Sequence, residues 1–168
     1  MKRLILFRHA KTERTAASGE DFDRALTERG RADAGLTSRL LTAAGLIPDC
    51  VLVSGAKRTQ ETWAAASANL PDAHATVMDD LYDAPSVRLY AAAKAELEAN
   101  TVMVIAHNPG IQSLALELAD HATLIDTKIK LQLNDGFPTA AAIVFEFEDD
   151  RTGCLGLFLP SDHGGGST

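Results

Sequence analysis

A chain of 168 residues with 46% hydrophobic side chains, 23% charged side chains and a mean hydropathy of −0.03 has the length of one domain and the composition of a soluble globular protein, which excludes disorder as its main state. Lys and Arg number 16 against 23 Asp and Glu, and the formal charge of −7 argues against generic affinity for nucleic acid or an anionic membrane. The charge is uneven, because residues 1–60 carry 11 basic and 7 acidic side chains (net +4) and residues 61–168 carry 5 and 16 (net −11), so an anion site belongs in the first third.

Leu4-Ile5-Leu6-Phe7 is a continuous apolar run that suits a strand covered on both faces, and Arg8 stops it well short of a signal-peptide core. Ala32, Leu36, Leu40 and Ala43 recur at helical spacing from Thr27 to about Ala44, where Gly45 supplies a natural stop. Val51-Leu52-Val53 reads as a second strand, 57–69 as a helix, His74 to Met78 as a third strand and 86–99 as another helix. Thr101 to Ala106 repeats the buried-strand pattern and a helix follows at 110–120. Ala141–Phe147 and Leu155–Leu159 flank a polar turn, which predicts an antiparallel hairpin.

This order predicts an α/β three-layer sandwich: a mostly parallel central sheet, helices on both faces and an antiparallel C-terminal edge. Residues 1–162 are expected to form a single domain, and 163–168, which end in Gly164-Gly165-Gly166-Ser167-Thr168, a flexible tail. Cys50 and Cys154 lie far apart without CxxC spacing, so neither a disulfide framework nor a zinc knuckle is indicated. No window approaches the roughly 20 apolar residues of a membrane span. A cytoplasmic monomer that binds neither nucleic acid nor membrane is the expectation.

In parallel sheets ligands bind beyond the carboxyl ends of the strands. Here the first strand runs into Arg8-His9, the second into Ser54 with Arg58 four residues on, and the fourth into His107. A lone histidine after a strand is more often structural than catalytic, and a lone arginine is more often a solvated helix charge. Two of each at converging strand ends instead form a cationic pocket suited to phosphate oxygens.

These residues resemble the histidine phosphatase superfamily. Arg8-His9-Ala10-Lys11-Thr12 looks like its first-strand signature, Ser54-x-x-x-Arg58 like its second arginine helix, and Val104-Ile105-Ala106-His107-Asn108 like its second histidine. Asp21 to Gly30 and Phe137-Pro138-Thr139-Ala140 are similar to the SixA-type phosphohistidine phosphatases. Ala10 departs from the usual Gly after the histidine.

The resemblance implies that His9 is phosphorylated in line and that Arg8, Arg58 and His107 hold the equatorial oxygens, with no metal or cofactor. It also implies a phosphate contact from Thr12 and a place for Arg24 beside the pocket. An acid after the third strand would protonate the leaving group. Asp83, which follows Leu81-Tyr82, is favoured over Asp79 and Asp80, although a cap or loop charge explains it as well. The implied partner is a phosphohistidine-bearing protein. The alternatives are a small phosphate ester, a catalytically decayed phosphate-binding scaffold, and a metallohydrolase using His9, His107 and Asp83, whose metal the neighbouring arginines would repel.

Overall fold

The computed structural model describes residues 1–163, with side chains through Asp162, so the expected tail lies outside the described residues except at its first position. The elements follow in the order β1 (Arg3–Arg8), α1 (Glu28–Ala43), β2 (Cys50–Ser54), α2 (Lys57–Ser67), β3 (His74–Met78), α3 (Ser86–Ala95), β4 (Thr101–Ala106), α4 (Gly110–His121), α5 (Thr127–Asp135), β5 (Ala142–Glu148) and β6 (Arg151–Phe158). The six strands form one sheet in the order β3-β2-β4-β1-β5-β6. β1 to β4 run parallel, while β5 is antiparallel to both β1 and β6.

Alternation along β1 splits the core between two faces. Leu4 and Leu6 pack with Leu89 of α3 and with Leu114 and Leu118 of α4, whereas Ile5 and Phe7 pack with Ala34 and Leu41 of α1 and Ala66 of α2. All four β1 side chains are fully buried, each contributing about 1.5–3 kcal/mol relative to exposure. That double coverage is why these central strands read as unbroken apolar runs. β3, at the sheet edge, is largely exposed.

The main departures from the sequence expectation are in α3, α5 and β6. α3 ends at Ala95 rather than 99, because Glu96 leaves helical geometry with ψ 75° and Leu97 then faces solvent. α5 was not expected: Ile129, Leu131 and Leu133 recur at a two-residue interval, and only Leu133 is buried. Asp126 caps this helix by accepting from the Lys128 amide at 2.7 Å. β6 begins at Arg151, four residues before the expected hairpin arm, and the β5–β6 register shifts at Val144/Phe145. The start and stop of α1 follow their signals: Thr27 accepts from the Gly30 amide at 2.9 Å, and Gly45 takes φ 71° just beyond the last turn.

Candidate active site

The four parallel strands deliver their carboxyl ends to one rim. β1 and β4 are neighbours with Arg8 opposite Ala106, so His9 and His107 emerge side by side, their ring centroids 5.2 Å apart. The His9 amide donates to the Ala106 carbonyl at 3.1 Å, which extends the ladder one residue into the site. His9 Nδ1 lies 2.8 Å from the Ala10 carbonyl, an acceptor only, so Nδ1 carries the proton and donates. The lone pair is left on Nε2. Burial brings the His9 pKa down to about 4; the Ala10 bond opposes this, and the charges of Arg58, Arg8 and Arg24 add to it.

His107 takes the opposite tautomer. Arg58 Nε, which can only donate, lies 3.2 Å from Nδ1, so Nδ1 accepts and the neutral ring carries its proton on Nε2. That N–H donates to Ser54 Oγ at 2.7 Å. Burial, then Arg58 and His9, bring its pKa to about 3. Both ring nitrogens are engaged by protein groups, so a direct contact with an oxyanion requires an exchange of partners.

Arg58 stands in the first turn of α2 and is almost fully buried, reaching back across the rim. Its Nη1 donates to the Asp21 carbonyl at 2.8 Å and its Nη2 pairs with Asp21 Oδ2 at 3.0 Å. Arg24 joins the same group: Nε donates to Asp21 Oδ1 at 2.8 Å and Nη1 to Thr12 Oγ1 at 3.0 Å and the Glu13 carbonyl at 3.2 Å. Thr12 and Arg24 therefore meet. The i,i+3 spacing of Asp21 and Arg24 is visible in the chain, but sequence reasoning missed the contact of Asp21 with Arg58. It also missed Tyr82, whose hydroxyl donates to Asp21 Oδ2 at 2.8 Å and whose ring stands edge-on to His107 at 5.5 Å.

On the opposite side, Arg8 Nη1 and Asn108 Nδ2 both donate to the Phe137 carbonyl, at 2.8 and 3.1 Å. The Phe137-Pro138 motif thus serves as a brace for Arg8. Arg8, Asn108, Phe137 and Leu157 line a cavity of about 420 Å³ there. Ala10, in place of the usual Gly, is fully buried, and its amide donates to Thr62 Oγ1 at 3.0 Å.

Among the described residues, the carboxylates after β3 make no hydrogen bond to either histidine. Asp80 pairs with Arg88. Asp83 is exposed with φ 50°, and its charge acts on Tyr82 by raising the phenol's pKa, behind the larger effects of the Asp21 hydrogen bond and burial. Among the described residues no hydrogen bond or ion pair links Asp79 or Asp83 to His9 or His107.

Known proteins share the sequence pattern and the fold. The profile of the histidine phosphatase superfamily (branch 1) matches residues 4–85. An uncharacterized protein of Mycobacterium tuberculosis is 30% identical over 155 residues, covering 89% of this chain and 95% of that protein. An uncharacterized chloroplastic protein of Arabidopsis thaliana is 28% identical over 137 residues; the match covers 75% of this chain and 63% of the plant protein. Among solved structures, the Agrobacterium tumefaciens protein provisionally named phosphohistidine phosphatase SixA is 28% identical, with TM-score 0.83 over 95% of this chain and 98% of that one. A SixA in complex with tungstate shares the fold at TM-score 0.70 and 22% identity, over 96% and 99% of the two chains. No helix among the described residues is long and apolar enough to cross a membrane. The profile match, the full-length relative and the shared fold establish that the chain belongs to the histidine phosphatase superfamily.

Proposed function

We propose that this protein is a metal-independent cytoplasmic phosphatase that works through a phosphohistidine on His9, and that its substrate is phosphohistidine in a protein partner. The observation that carries this reading is the state of His9: Nδ1–H is tied to the Ala10 carbonyl, Nε2 holds a free lone pair, and the ring stays neutral down to about pH 4 beside three arginines. A neutral, oriented imidazole is a competent nucleophile at physiological pH.

In the first step Nε2 of His9 attacks phosphorus as the bond to the leaving group breaks. With phosphohistidine protonated from solvent on its second ring nitrogen, that group departs as neutral imidazole, so an enzyme acid contributes little. In the second step a water oxygen attacks phosphorus and the Nε2–P bond breaks, releasing inorganic phosphate and restoring the lone pair; the water's proton passes to solvent. Arg8 and Arg58, with Arg24 and Thr12 beside them, supply positive charge and donors for the developing oxyanion. Asp83, one residue beyond Tyr82, would serve as proton donor only where an alkoxide must leave. The kinship with a protein named as a phosphohistidine phosphatase supports this substrate class.

Comparing kcat/KM on a phosphohistidine peptide and on several sugar phosphates tests the reading, together with acid quenching after brief exposure to labelled substrate. An acid-labile phosphoenzyme and a preference for the peptide are expected, with activity retained in EDTA. A clear preference for one small ester would reassign the substrate. Loss of activity in EDTA that a divalent metal restores would overturn the mechanism.

A further inference from the structure

Three side chains from three parts of the chain converge on the carboxylate of Asp21, a residue with no role in the steps above. Arg24 holds Oδ1, while Tyr82 and Arg58 share Oδ2, and Arg58 also grips the Asp21 carbonyl. A buried guanidinium without a counter-charge is costly, and Asp21 is the carboxylate paired with Arg58 among the described residues. The guanidinium is a rigid plane. Fixing Nη1 and Nη2 on Asp21 therefore fixes where Nε points, which is at His107 Nδ1. That bond in turn selects the His107 tautomer whose Nε2–H reaches Ser54.

We infer that Asp21 is a positioning residue of this site: its carbonyl and carboxylate clamp Arg58 in the plane that holds His107 in its Nε2–H tautomer, and they keep Arg24 and Arg58 on a common anion. The kinetic consequence rests on the phosphatase reading; the clamp itself does not. Asp21 has no hydrogen bond to either histidine, so it acts through Arg58. Its side chain is about half exposed on a short surface turn between β1 and α1, which makes substitution tolerable to the fold. Removing its charge leaves the pocket more positive, so resting affinity for an anion is preserved. Turnover, which depends on aligned donors, falls.

The test compares wild type with Asp21→Ala, and with the near-isosteric Asp21→Asn should the alanine variant fail to fold. Three quantities are measured: kcat on a phosphohistidine peptide, inhibition by vanadate, and the His107 tautomer from side-chain nitrogen NMR. The clamp predicts a fall in kcat of about 10- to 100-fold, vanadate inhibition no weaker than wild type, and loss of the single Nε2–H tautomer. An unchanged His107 tautomer overturns the proposal, as does kcat within about twofold of wild type. Vanadate binding that weakens in step with kcat also overturns it, since Asp21 would then belong to the anion seat itself. A wild-type protein without turnover would refute the phosphatase reading instead, and the tautomer comparison would still decide the clamp.

Discussion

The inner and outer halves of the candidate site are held by different forces. His9, Ser54 and His107 continue β1, β2 and β4, are nearly fully buried, and take their positions from the sheet ladder. Asp21, Arg24 and Tyr82 stand on the connections after β1 and β3, are partly exposed, and are fixed to each other by side-chain bonds. Ladder positions survive a change of neighbouring side chain, because the backbone supplies the bonds; a side-chain cluster loses its geometry with any one member. The place of His9 should therefore be robust, and the aim of the arginines adjustable.

The largest break of that contrast is at His9, the proposed nucleophile. His9→Asn should reduce turnover to background and abolish the acid-labile phosphoenzyme while the unfolding temperature stays close to wild type; steady-state kinetics and acid quenching check it. Next comes Arg58→Ala, which removes the proposed transition-state donor and the partner of His107 and should cost about two to three orders of magnitude in kcat. Arg24→Ala, in the outer half, should cost about tenfold or less, given its exposure. Equal losses for the two arginines would erase the distinction between the halves.

Acid sharpens the comparison further. The folded pKa of His9, about 4, lies below its ordinary 6.5, so between those values the unfolded chain binds a proton that the folded chain refuses. Stability from this residue is complete above about pH 6.5 and is lost as pH falls towards 4, by roughly 3 kcal/mol. His107 acts in the same direction. Denaturant unfolding from pH 7 to 4.5 should show the decline, and His9→Asn should flatten it. Ser54→Ala would leave the buried His107 Nε2–H without its acceptor and should cost about 1–3 kcal/mol in the same assay. The smallest effect belongs to Asp83→Asn in the outer half, a few-fold loss in kcat/KM on an alkyl phosphate and less on phosphohistidine.

The sequence by itself determined the parts of the molecule whose residues report their own surroundings. Strands β1, β2 and β4 are buried on both faces, so their apolar runs are unbroken and legible, and Arg8-His9, Ser54 and His107 are legible as their ends because parallel strands share a rim. α1 announces itself through Thr27, its apolar spacing and Gly45. α5 stayed hidden because Leu131, exposed between Ile129 and Leu133, gives the segment a two-residue alternation that masks their i,i+4 pairing. Which nitrogen of each histidine bears the proton, which carbonyl braces Arg8, and that Arg58 turns to Asp21, 37 residues away, were decided only by the tertiary structure. Those choices depend on hydrogen bonds between segments that meet only once the sheet has formed, and a donor's identity in the chain does not say which acceptor the packing brings within reach.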